Sequence, residues 1–136
     1  MITNTATIVT TMRSAHTFGR RFVGVVASAK GTMYTLAVIA IAPPRYSHEL
    51  IAESGEFCIN VPGSDLAEAV MYIGTHTGRK GDKFAPAGIS AAPCETVSTI
   101  SIVECPGHAE CRVVQAVTAG DHTIFIGEIL AAFAEP

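Results

Sequence analysis

The stretch CRVVQAVTAGDHTIFIGEILAAF, residues 111–133, decides the fold class. Two runs rich in Val, Ile, Thr and Phe, Cys111 to Thr118 and Thr123 to Phe133, flank Ala119-Gly120-Asp121. Gly and Asp accept the backbone of a tight turn, so the pattern predicts a β-hairpin. The same signature recurs toward the N-terminus. Val97 to Glu104, Phe57 to Val61, Tyr34 to Ala42, Phe22 to Ala29 and Thr5 to Thr11 are further strand candidates. Tyr34 to Ala42 is apolar throughout, which predicts burial on both faces, and Pro43-Pro44 ends it because proline cannot donate to a ladder.

Two short helices fit between these strands. Ser47 to Ser54 has Ser47 to cap its first turn, Glu49 at its positive end and Gly55 past its last turn. Asp65 to Ile73 has Asp65 and Glu68 at capping-box spacing, with Leu66, Val70 and Ile73 on one face and Gly74 closing it. Thr75 to Pro93 is a long loop rich in Gly, Ala and Pro, and loops of that length inside compact domains are commonly functional. Short strands without long alternating helices predict a mainly β barrel or sandwich, one domain over residues 1–136.

Composition supports a folded chain. Apolar residues make up 49% and charged residues 15%, enough for a core in 136 residues and unlike a disordered segment. No apolar run approaches the roughly 18 residues of a membrane span. Met1 to Asn4 leads straight into a strand-like run, without a leader pattern, and none of Cys58, Cys94, Cys105 and Cys111 forms a Cys-x-x-Cys pair. The expectation is a cytoplasmic protein with reduced thiols and no membrane partner. A net charge of −3 argues against general nucleic-acid binding. Eight of the nine Lys and Arg residues nevertheless lie at or before Lys83, whereas six of the twelve acids follow it, so the cations are gathered where an anion would meet them.

Five segments carry candidate chemistry. Arg45-Tyr46-Ser47 at a helix start offers unpaired N–H groups, a hydroxyl and a fork-shaped cation, a phosphate site or an ordinary capped helix. Gly74 to Phe84 holds Arg79, Lys80 and Lys83 among three glycines whose N–H groups can converge on an anion; a solvated polar loop has the same composition. Val26 to Thr32 puts small residues at a strand end, where a flat ligand can approach the backbone or where the strand simply stops. Cys105, His108 and Cys111 supply three zinc-type ligands at a non-standard spacing, and two core thiols explain them better. Gly120-Asp121-His122 is turn chemistry beside a His able to move a proton. No nucleophilic triad or metalloprotease motif is present, which points to a borrowed cofactor if the chain is an enzyme.

Arg45-Tyr46-Ser47-His48-Glu49-Leu50-Ile51, Ser54-Gly55-Glu56-Phe57, Asn60-Val61-Pro62, Thr77-Gly78, Asp82-Lys83-Phe84, Glu110-Cys111-Arg112 and Gly120-Asp121-His122, in this order, resemble the flavoredoxin group of the flavin reductase-like family, from about Thr7 to Phe133. The resemblance implies a six-stranded FMN-binding split barrel with a Greek-key core, a homodimer, and FMN as cofactor. It places Ala27, Ser28, Ala29 and Lys30 along the ring and phosphate chain, and Arg45, Tyr46 and Ser47 in the next flavin-contacting segment. Lys83 faces the phosphate or ring, and His122 lies near the nicotinamide or flavin. It implies an NAD(P)H-dependent flavin or ferric reductase. A second reading is an FMN electron carrier without its own nicotinamide site, served by a protein partner. A third is a non-redox binding module, kept open because Ala29 stands where the family carries an aromatic residue.

Overall fold

The computed structural model describes residues 6–8, 22–27 and 35–135. Of the first strand candidate only Ala6–Ile8 (β1) is described, and Ser28, Ala29 and Lys30 lie outside the described residues. The chain continues through β2 (Phe22–Ala27), β3 (Thr35–Ile41), α1 (Tyr46–Ser54), β4 (Glu56–Val61), α2 (Ala67–Thr75), α3 (Phe84–Ala87), β5 (Ala91–Pro93), β6 (Ile100–Ile102), β7 (Gly107–Ala119) and β8 (His122–Ala134). Six strands form one sheet in the order β1-β4-β7-β8-β3-β2, and β5 and β6 form a separate ribbon. Among the described residues the large sheet is open, with β1 and β2 as its edges, and β1 joins β4 in parallel while every other pair is antiparallel. No helix among the described residues is long and apolar enough to cross a membrane.

The β7–β8 hairpin is the spine of this sheet. Ala119 pairs directly with His122, so Gly120 and Asp121 alone make the turn, and Gly120 takes the positive φ of 59° that a hairpin of this length requires. The register slips twice. Leu130 is the extra residue on β8 between the partners of Glu110 and Cys111, and Val114 is the extra residue on β7 between Val113 and Gln115. Such bulges bend and twist a strand, which lets one long hairpin curve around a core.

That core lies between the sheet and α1. Ala37, Ile39 and Ile41 of β3, Ile51 of α1, Phe57 and Ile59 of β4, Cys111 of β7 and Phe125 of β8 pack together. β3 departs from the sequence expectation, because its buried residues alternate with half-buried ones and only one face is sealed. Gly127 sits where a Cβ would come within 2.6 Å of the Phe57 ring. A second cluster packs α2, through Ala69 and Ile73, against Ile89, Ile102 and Cys105.

The connections differ more from expectation. Arg45, not Ser47, precedes the first turn of α1, and no side chain caps it; Gly55 closes the helix as expected, at φ 71° with its N–H on the Ile51 carbonyl. A 3-10 turn at Ser64–Leu66 precedes α2, which runs through Gly74 to Thr75, and neither start has a side-chain cap, so the Asp65–Glu68 box is absent. The loop read over Thr75 to Pro93 contains a 3-10 turn, α3 and β5, and the strand read over Val97 to Glu104 shrinks to Ile100–Ile102.

β7 begins at Gly107, before Cys111. Cys105 and Cys111 belong to different apolar clusters, and His108 stacks on Phe133 while meeting the Glu110 carboxylate at 3.1 Å. Among the described residues no group of His, Cys, Asp and Glu is arranged to hold a metal ion. Glu110 is fully buried. It accepts hydrogen bonds from the Glu95 N–H, the Thr96 N–H and the Thr96 hydroxyl. Burial pushes its pKa up, but the Thr96, Glu95 and His108 donors outweigh that and hold it down at about 2.

Two outcomes test this packing. Gly127→Ala drives a methyl into the Phe57 ring, so urea unfolding should show a loss of about 1–3 kcal/mol. The Glu110 carboxyl titrates at about 2 in the folded state against 4.5 ordinarily. Its contribution is therefore complete above pH 4.5 and lost as pH falls toward 2. Denaturation of the native chain between those limits should show about 3 kcal/mol of pH-dependent stability that Glu110→Gln lacks.

Candidate functional site

The start of α1, the last turn of α2 and the segment after it meet around two adjoining cavities. One, of about 220 Å³, is lined by Tyr46, Ser47, Leu50, Gly78, Gly81, Asp82, Lys83 and Phe84. The other, of about 170 Å³, is lined by Arg45, Gly74, Thr75, His76, Thr77 and Lys83. Lys83 is the wall they share.

Local rules explain how the first cavity is walled. Tyr46 opens α1, and the backbone of Gly78 lies flat on its ring, where a Cβ would come within 3.1 Å. The Arg79 guanidinium sits 4.9 Å from the same ring centroid and pairs with Glu49 of α1 at 2.6 Å. The loop is thereby fastened to α1 by one aromatic ring and one carboxylate. Gly81 takes φ 131°, a conformation that side chains resist.

Asp82, Lys83 and Phe84 then act separately. Asp82 accepts the Phe84 N–H at 2.9 Å and so starts α3. Phe84 packs against the second apolar cluster while facing the cavity. The Lys83 ammonium donates to the Ile73 carbonyl at 3.1 Å and the His76 carbonyl at 3.3 Å, closing the end of α2. A cation at a helix C-terminus meets both orphan carbonyls and the negative end of the dipole.

The first cavity therefore has aromatic and aliphatic walls at Tyr46, Leu50 and Phe84, and the second is lined by Arg45, Thr77 and Thr75, whose hydroxyl donates back to the Met71 carbonyl at 2.9 Å. Ser47, in the first turn of α1, lines the first cavity, and the early N–H groups of a helix are ready donors to an anion. Together these side chains suit an elongated ligand with a flat apolar part and an anionic part. Either cavity alone is below the ~300 Å³ at which small-molecule sites usually begin, so such a ligand must use both.

Of the residues singled out in the sequence, Arg45, Tyr46, Ser47 and Lys83 come together here. His122 lines neither cavity. It stands beside the hairpin turn, its Nδ1 2.7 Å from Asp121 Oδ1, and the next residue, Thr123, meets His48 Nε2 of α1 at 2.8 Å. His122 thus lies at the α1 end of the sheet. Ala27 pairs with Thr35 at the opposite end of β3 from the strand terminus that leads to Arg45. Six residues of strand, about 20 Å, separate the two ends. Sequence reasoning missed Arg79 as the residue that fixes Tyr46, and it missed Leu50 and Phe84 as cavity walls. The three-residue spacing of Tyr46 and Glu49, one turn of a helix, was the available signal for a shared Arg partner.

Comparison with known proteins gives the family. The model of the flavin reductase-like domain matches residues 1–136, and the chain belongs to that family. Its fold is the split barrel of its structural neighbours. An uncharacterized protein of Archaeoglobus fulgidus is 44% identical over 92 residues, 68% of this chain and 52% of that one. The flavin reductase (NADH) of Kitasatospora aureofaciens is 32% identical over 88 residues, 63% of this chain and 43% of its own. The crystal structure of flavoredoxin from Methanosarcina acetivorans superposes with a TM-score of 0.73 at 30% identity, covering 84% of this chain and 58% of that one. The chain spans about half the length of the relatives it matches.

Replacing Lys83 with Met should release the end of α2. Amide exchange in its last turn should accelerate roughly 5–30-fold, corresponding to about 1–2 kcal/mol of local stability, while β7 and β8 stay protected. Hydrogen–deuterium exchange with peptide mapping reads both.

Proposed function

We propose that the chain binds FMN across the two adjoining cavities and serves as an NAD(P)H-dependent flavin or ferric reductase, acting as a homodimer. The observation that carries this reading is the joining of an aromatic-walled cavity to a cationic, hydroxyl-lined one through Lys83. Membership of the flavin reductase-like family and the 32% identity to a flavin reductase (NADH) support it.

In this reading Arg45 and Thr77 hold the phosphate, and the first-turn N–H groups of α1 add to its neutralisation. Tyr46, Leu50 and Phe84 flank the ring and exclude water from it. Lys83, held by the end of α2, keeps the two parts of the site in register. The family resemblance adds the segment from Ala27 through Ser28 and Ala29 to Lys30 to the flavin contacts. Flavin, when bound, supplies the acceptance of a hydride from a reduced nicotinamide and the onward transfer of electrons. His122, beside the hairpin turn, is oriented by Asp121 through Nδ1, and Nε2 is the nitrogen that would hold or release a proton.

A second reading, an FMN electron carrier that takes electrons from a protein donor, has its own support in the 30% identity to a flavoredoxin. One experiment separates the two. The purified chain is titrated with FMN and followed by its visible absorbance, and NADH or NADPH is then added under nitrogen. Bands that appear on binding and bleach with nicotinamide fit the reductase; bands that persist fit the carrier; absence of binding overturns both. Arg45→Ala should weaken FMN at least about tenfold without lowering the melting temperature, whereas Lys80→Ala should change affinity little.

A further inference from the structure

Cys58 and Cys94 line neither cavity. Cys58 is fully buried near the middle of β4, and Cys94 follows β5 and is partly open to solvent. The fold forces them together. Along β4 the side chains of Glu56, Cys58 and Asn60 share one face. All three meet the segment that carries Cys94. Glu56 accepts the Ser98 N–H at 2.8 Å, and Asn60 Oδ1 accepts the Ile102 N–H at 2.8 Å. Directly across the ladder from Cys58 stands Glu110, which holds the N–H groups of Glu95 and Thr96, the two residues after Cys94. The Cys94 N–H closes the loop onto the Thr99 carbonyl at 3.0 Å. These anchors hold the loop on the face of β4 that carries Cys58, and they set Cys94 one residue from the Glu95 N–H that Glu110, the cross-strand partner of Cys58, accepts.

We propose that Cys58 and Cys94 form a reversible disulfide when the protein meets hydrogen peroxide. The partly exposed Cys94 sulfur attacks one peroxide oxygen, the O–O bond breaks, and a sulfenic acid and one water result. The Cys58 sulfur then displaces that hydroxyl, which leaves as a second water carrying the Cys58 proton. Two thiols and one peroxide become one disulfide and two waters, and a dithiol reductant reverses the change.

Access sets the order of these steps. Cys58 is fully buried and Cys94 is partly open to solvent, so peroxide reaches Cys94 first and the sulfenic acid forms beside Cys58. Cys111 pairs across the ladder with Phe57 and packs in the core on the opposite face of β4 from Cys58, and Cys105 belongs to the second apolar cluster, which keeps both out of the reaction. The bond would close residues 59–93 into a covalent loop. That loop contains α2, Lys83, Phe84 and the Gly78 to Asp82 wall of the cleft. Oxidation would therefore tether at its base the segment that forms one side of the cleft.

The test is peroxide treatment of the whole chain followed by alkylation and peptide mapping. Trypsin separates Cys58 from the other three cysteines at Arg79, and cleavage after Glu95, Glu104 and Glu110 separates Cys94, Cys105 and Cys111 from one another. The expected result is an intramolecular Cys58–Cys94 peptide that dithiothreitol removes. Loop closure should raise the melting temperature by about 5–10 °C. Cys94→Ser should keep the reduced melting temperature and lose both the link and the rise. In Cys58→Ala, Cys94 should accumulate as a sulfenic acid that dimedone traps. Over-oxidation of Cys94 with Cys58 still free to alkylate would overturn the proposal, as would a link to Cys105, to Cys111 or to a second chain. Mapping of the unmutated protein decides the matter even if a variant fails to fold.

Discussion

A single carboxylate with no access to water fastens the two parts of this molecule together. A buried charge costs several kcal/mol unless donors surround it, and Glu110 has the Glu95 and Thr96 amides, the Thr96 hydroxyl and His108 around it. Those bonds lay residues 95–98 on the back of β4 and β7. Once the loop is down, β6 follows, because the Ile102 N–H reaches Asn60. Ile102 then offers an apolar surface to α2, and α2 presents its last carbonyls to Lys83. The cleft wall is the last link in a dependence that begins at Glu110.

The cleft is therefore built from residues with structural duties of their own. Tyr46 is both a wall and the surface on which Gly78 and Arg79 rest. Phe84 belongs to an apolar cluster on one side and to the cavity on the other. Substitutions here act on shape and chemistry together, which is why exchange measurements and melting temperatures must accompany any affinity.

The hairpin, β3, β4 and α1 were legible in the sequence because each carries a strong local signal: alternating β-branched runs, a proline pair, a Gly just past a helix. The short elements were not. β5 is Ala-Ala-Pro, without any β-forming residue, and it is a strand only because β6 pairs with it. Val97 to Thr99 looked like strand and is not, because Glu56 and Glu110 capture the neighbouring backbone donors that a ladder would use. At the site, Arg45, Tyr46, Ser47 and Lys83 were legible through charge and family resemblance. The duty of Lys83 at the end of α2 was not, since it joins residues ten positions apart across a non-helical segment. The pairing of Cys58 with Cys94 likewise depends on sheet register, which no spacing reveals.

The two helices that border the cleft present opposite ends to it. α1 brings its first turn through Tyr46 and Ser47, and α2 brings its last through Gly74 and Thr75. Helix ends carry about half an elementary charge, positive at the start and negative at the finish. The negative end of α2 works against the positive end of α1, so the backbone lends the site less positive potential than α1 alone would give. Lys83 lies against the negative end and offsets it, which lowers the positive field that a count of cations would assign to its loop. Among the residues lining the two cavities, Arg45 is the exposed cation not placed against that negative end.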